Sequence, residues 1–158
     1  MATIDDYTSG RILKLIQRSL FLLRLAHTPG VGPFVRRALT KGMAPFALRV
    51  IDKSKAAAHI REAATCAIGP RVCYALHPES VFTESIFLDE LADGMVRAGH
   101  ARYATPEEAI NVVRAYSNRR PIIVANVSGT PREICSSSTK WCVAWNMERR
   151  GLKCVIRQ

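Results

Sequence analysis

The chain has 158 residues, a net charge of +10, and is 48% apolar and 23% charged, which suits one folded globular domain with a core of its own. Five cysteines, an odd number, argue against a fully disulfide-bonded secreted domain. No uncharged run approaches the ~20 residues of a membrane span, and Asp5 and Asp6 spoil a secretory leader, so the expected location is cytoplasmic, with peripheral membrane association left open.

From residue 9 to 26 the pattern is that of an amphipathic helix with Ser9 as its N-cap. Arg11, Lys14 and Arg18 form one stripe, and Ile12, Ile16, Leu20 and Leu23 another. Pro29, Gly30, Gly32 and Pro33 break it. A second helix, about 34–41, sets Phe34, Val35 and Leu39 against Arg36, Arg37 and Lys41. A third is expected over about 45–52 from Phe46, Leu48, Val50 and Ile51. Residues 1–52 therefore read as a basic helical segment, a cap on the domain or a docking surface. Arg11, Lys14, Arg18, Arg36 and Arg37 are its candidate partner-binding residues. The partners it suits are a larger redox protein, a second copy of the chain, or an anionic membrane surface.

Residues 53–158 read as a small mixed α/β domain with a short sheet. An alanine-rich helix over 53–65 delivers the chain to Cys66. Gly69-Pro70 is then expected to turn it, so that Cys66 and Cys73 flank a loop. The clearest long helix is expected over 83–98: Thr83 would cap it, Glu84, Asp89 and Glu90 would suit its positive end, and Gly99 would follow its last turn. A short strand at 101–104 precedes Thr105-Pro106-Glu107-Glu108, a capping box opening a helix to Asn118. Residues 121–127 are a strand stopped by Ser128-Gly129. Strand, helix and strand in this order suggest a βαβ unit. A helix over 143–150, ended by Gly151, and a strand over 152–156 complete the chain.

Two cysteine pairs share one internal spacing: Cys66 and Cys73, and Cys135 and Cys142, each with six residues between. Four thiols match the ligand count of a four-thiolate centre. Members of zinc-binding pairs stand closer, two to four residues apart; a looser pair can straddle a larger object, and a cluster is larger than one ion. The pairs also lie in the two basic parts of the chain. Residues 1–73 hold 12 Lys/Arg against 4 Asp/Glu, residues 74–118 hold 3 against 7, and residues 119–158 hold 8 against 2. An anionic centre would find counter-charge in Arg71 and Lys140, and shielding from Trp141 and Trp145. The serines 136–138 offer backbone N–H groups to sulfur. His77 and Cys154 are candidate additional ligands, although Cys154 also reads as a core residue of the last strand.

The run from Ile60 to Cys73, in which a helix rich in Glu and Ala leads into a glycine turn with cysteines, resembles segments of small iron–sulfur-binding proteins of anaerobic metabolism. The likeness covers roughly 14 residues, and this chain lacks their closely spaced cysteines. The expectation is an iron–sulfur protein, with a [4Fe–4S] cluster on Cys66, Cys73, Cys135 and Cys142, acting in electron transfer or as an accessory redox subunit. The alternative is a structural-zinc module that meets nucleic acid or an acidic protein. Three Arg-Arg pairs, Arg36-Arg37, Arg119-Arg120 and Arg149-Arg150, could contact phosphates, but no helix-turn-helix or zinc-finger pattern accompanies them. No nucleophile–base arrangement is legible, so a redox subunit or binding protein is expected ahead of a stand-alone enzyme. Thiol catalysis would require a cysteine of low pKa.

Overall fold

In the computed structural model, residues 3–26, 28–78, 83–117, 121–136 and 140–157 are described. Among them, seven helices surround one seven-stranded mixed sheet, an α/β fold with a helical N-terminal part. The expected helix end at Asn118, the Arg119-Arg120 pair and the serines 137 and 138 lie outside the described residues. No helix among the described residues is long and apolar enough to cross a membrane.

The N-terminal part comprises α1 (Ile4–Thr8), α2 (Arg11–Leu25) and α3 (Gly32–Met43). Thr3 and Asp6 form a capping box on α1, a helix the apolar periodicity does not announce. Ser9 therefore closes α1, and Gly10, at φ 71°, stands at the N-cap of α2 in its place. The helix expected over 45–52 is a 3-10 turn at Ala44–Phe46 followed by strand β1 (Leu48–Ile51). Four apolar or β-branched residues in a short run suit a strand as well as a helix, and pairing with the sheet decides.

Asp52 caps α4 (Lys53–Glu62) by accepting from the Lys55 N–H at 2.8 Å. The segment after it is not the expected turn but strand β2 (Cys66–Pro70), followed by a 3-10 turn at Val72–Ala75. The helix expected over 83–98 splits into strand β3 (Glu84–Leu88) and helix α5 (Glu90–Arg97), hinged at Asp89 with φ 53°. Ser85 to Leu88 are buried on both faces, and a continuous apolar run of that kind carries no period to distinguish strand from helix. Then follow β4 (Arg102–Tyr103), α6 (Pro106–Ser117), β5 (Ile122–Val127), β6 (Thr130–Ser136), α7 (Val143–Arg149) and β7 (Val155–Arg157). The capping box of α6 forms as expected: Thr105 N–H donates to Glu108 Oε2 at 2.8 Å, and Glu108 N–H to Thr105 Oγ1 at 3.2 Å.

The sheet order is β4-β2-β3-β6-β5-β1-β7. Its one parallel pair is β1 with β7; the other neighbours are antiparallel. The β4–α6–β5 stretch is thus a crossover between strands that are not neighbours. Helices α4 and α6 cover one face with Ala56, Ile60, Ala109, Ile110 and Val113 over Ile68, Ile86, Val124 and Ile134. Helices α1 and α5 and the start of α2 cover the other, with Tyr7, Ile12, Leu91 and Met95 over Ala67, Phe87, Ile123 and Val127. A third cluster packs α2 and α3 onto α7 through Leu23, Leu39, Val143 and Met147.

Candidate functional site

A mostly apolar cavity of about 170 Å³ opens between the sheet, the helical pair α2–α3 and α7. Ile12, Ile16, Leu39 and Met43 wall it from the helices, and Ile123 and Ala125 from β5. Three cysteines from three segments reach it: Cys73 from the 3-10 turn, Cys135 from β6 and Cys142 from the N-cap of α7. Strand alternation adds a fourth polar group. Glu133 lies two residues before Cys135 and so on the same face of β6, and it too lines the cavity.

Glu133 is held by two hydroxyls. Tyr7 Oη donates to its Oε2 at 2.7 Å, and Ser85 Oγ donates to its Oε1 at 3.0 Å. Burial pushes the Glu133 carboxyl above its ordinary range, while those hydrogen bonds and the Arg71 guanidinium pull the other way. Burial, and then the facing carboxylate, push the Tyr7 phenol well up. Arg71 is 4% exposed and its Nη1 donates to the Ser136 carbonyl at 2.7 Å. Its charge favours the ionised forms of Glu133, Cys73, Cys135 and Cys142 alike. A buried guanidinium among acidic groups therefore stands where an anionic centre would need one.

Burial dominates the thiols. Cys73 is pushed up to about 12. Cys135 is pushed well above its ordinary value, with the Glu133 charge adding to burial. Cys142 is raised by burial against the pull of the Trp145 and Ala144 N–H groups. All three are shifted up, opposite to the low-pKa cysteine that thiol catalysis requires.

The fourth cysteine of the two pairs is elsewhere. Cys66 begins β2 on the opposite face of the sheet, buried among the α4 and α6 side chains, where its Sγ donates to the Ile60 carbonyl at 3.5 Å. Four residue steps of strand separate it from Pro70, roughly 13 Å at the usual rise, and the sheet itself stands between it and Cys135. Cys154 packs against the cluster around α7, with Sγ donating to the Ala144 carbonyl at 3.4 Å, and is pushed up to about 11 by burial. The His77 ring meets Trp141 at a 36° tilt with ring centroids 5.1 Å apart, and Lys140 Nζ sits 4.3 Å over that indole. Trp145 lies under Arg157, 5.2 Å from ring centroid to guanidinium carbon. None of Cys66, His77, Lys140, Trp141, Trp145 and Cys154 lines the cavity.

Of the basic residues singled out at the N-terminus, Arg11 pairs with Asp5 and Asp6, and Arg36 Nε donates to the Ala26 carbonyl at 3.0 Å. Lys14, Arg18 and Arg37 are exposed. Among the described residues no three His, Cys, Asp or Glu side chains close on a point as the ligands of a single ion would. The cavity thiols are instead spread around a space. The residues that the cysteine spacing did not point to are Glu133, Tyr7 and Ser85. The alternation Glu133-Ile134-Cys135 was a legible signal for Glu133 alone. No protein-family model, curated protein or solved structure matches the chain. What fold and site define together is a mixed-sheet α/β protein with a partly open, mostly apolar cavity lined by three thiols and a carboxylate.

Proposed function

We propose that the protein is an iron–sulfur protein whose cluster is held in this cavity by Cys73, Cys135 and Cys142, with Glu133 as the non-thiol ligand and Cys66 taking no part. The observation that carries the reading is the convergence of three cysteines, from separate segments of the chain, on one apolar cavity beside a buried guanidinium. The donor set fits such a group: soft thiolates suit iron–sulfur clusters, as they also suit zinc, and the carboxylate can occupy the position a fourth thiolate would hold. When bound, the cluster would supply one-electron exchange, as in an electron-transfer protein or an accessory subunit of a larger redox partner.

The chain's own residues have definable parts in this reading. Arg71 offsets the negative charge of the thiolates, which burial alone disfavours. Tyr7 and Ser85 fix the Glu133 carboxylate, so it enters the cavity in one orientation. Apolar walls from α2 and α3 keep water off the centre. Ligation must drive protons off thiols whose pKa values are raised, so loading should release protons and strengthen steeply with pH. A reducing compartment, the cytoplasm, suits five cysteines in one small chain.

The test is iron and sulfide content, with the visible spectrum, after purification and reconstitution without oxygen. The reading requires stoichiometric iron, sulfide and broad visible absorption that bleaches with dithionite. Colourless protein without iron sinks it, and stoichiometric zinc without sulfide replaces it with a structural-zinc module.

A further inference from the structure

Independently of what the cavity holds, the outward side of the α2–α3 pair carries two kinds of residue in a fixed order. On α2, Lys14 and Arg18 face solvent, away from the buried Ile12 and Leu23. Toward the end of the helix the same side becomes apolar: Phe21 is 62% exposed, and Leu22 and Leu25 are 42% exposed. After the Pro29-Gly30 turn, Val31 is 51% and Phe34 is 75% exposed. Arg37 and Lys41 then follow Phe34 at helical spacing, both exposed. The tip of the helical pair is thus an exposed apolar patch, and each helix behind it carries a basic stripe. Phe34 is the most exposed large apolar side chain among the described residues, and patches of this kind mark interaction sites.

On α2 and α3 themselves the charge has one sign, although Asp6 of α1 shares a groove with Lys14 and Arg18. From Tyr7 to Ile51 the sequence contains eight Lys/Arg and no Asp/Glu. We propose that this tip is a docking surface for an anionic lipid bilayer. Phe21, Leu22, Leu25, Val31 and Phe34 enter the boundary between headgroups and acyl chains, and Lys14, Arg18, Arg37 and Lys41 meet the lipid phosphates and carboxylates. A bilayer fits both halves of the pattern. A second copy of the chain would set two all-positive surfaces against each other. Nucleic acid would satisfy the charge and leave the apolar tip in water.

The test is co-sedimentation of the full chain with two kinds of sucrose-loaded vesicle, one of phosphatidylcholine alone and one with about one third phosphatidylserine. The expected result is partition at least about tenfold stronger onto the anionic vesicles, weakened by high salt. The double substitution F21S/F34S should cut that partition by about tenfold or more, and K14E/R18E should abolish the preference for phosphatidylserine. All four positions are exposed, so the thermal midpoints of both variants should match the parent's and show that they fold. Equal partition onto both vesicles, or onto neither, overturns the proposal. So does a dimer in solution that F21S/F34S dissociates, which would make the tip a contact between copies.

Discussion

The two faces of the sheet are built from the same strands and have different interiors. Toward α4 and α6 the packing is closed and apolar, with Ile60, Ile134 and Val124 at 0–2% exposure and Cys66 as a small core residue among them. Toward α1, α2 and α7 the packing leaves a cavity of about 170 Å³, with a carboxylate and three thiols in its wall. One residue step along β6 moves from one setting to the other, since Ile134 faces the closed side and Cys135 the open one. The lesson is that cysteine has no fixed meaning in this chain. The face a strand gives it decides whether it packs in the closed core or lines the cavity.

The sharpest way to break that comparison is to truncate neighbours. Ile134→Ala should lower stability by about 2–5 kcal/mol, because it deletes methylenes from a filled interior. Cys135→Ala, one residue on, should cost the apoprotein about 1 kcal/mol, because one side of that thiol is already vacant. Denaturant unfolding of the two variants measures the gap, and equal costs would mean that the cavity is filled in solution. The inverse experiment adds volume. Ala56→Val on the closed side should destabilise by about 1–3 kcal/mol through overpacking. Ala125→Val, into the cavity, should change stability by less than about 1 kcal/mol in either direction, read as a shift in thermal midpoint.

A smaller effect should come from the buried carboxyl. Burial raises the Glu133 pKa above its unfolded value near 4.5, so the folded state holds that proton to higher pH than the unfolded chain does. The sign follows: this group's contribution is fully present below the unfolded value and is lost as pH rises through the folded one. Glu133→Gln keeps an acceptor for Tyr7 and a partner for Ser85, and it removes the titration. The variant's thermal midpoint should vary less with pH from the acid side up to neutrality. Near pH 8 it should be at least as stable as the parent. An unchanged pH profile would mean that Glu133 is solvated.

How much of this was legible in the sequence depends on what each segment obeys. The helices α2, α3, α4 and α6 carry a 3.6-residue apolar period or a side-chain cap, and they lie where those signals put them. Strand β3 was hidden inside a helical reading because Ile86, Phe87 and Leu88 are buried without alternation, and Asp89 breaks the chain at a positive φ that no sequence rule announces. The two equally spaced cysteine pairs are placed differently by the fold. Cys135 and Cys142 span a strand end and the start of α7, so both reach the cavity. Cys66 and Cys73 span β2, whose pleat sends Cys66 to the far side. Equal spacing in sequence guarantees equal geometry only where the intervening backbone is the same. Tyr7 was not foreseeable, because its contact with Glu133 spans 126 residues and depends on the sheet order.

In the proposed function, three of the four paired cysteines hold the cluster. The most direct measurement is iron and sulfide bound per chain after anaerobic reconstitution of two variants, Cys66→Ala and Cys135→Ala, beside the parent. Cys66→Ala should keep the parent's iron, sulfide and visible absorption, and Cys135→Ala should lose most of all three. Loss in both variants alike would contradict that assignment by returning Cys66 to the ligand set, and full retention in Cys135→Ala would take the centre out of the cavity altogether.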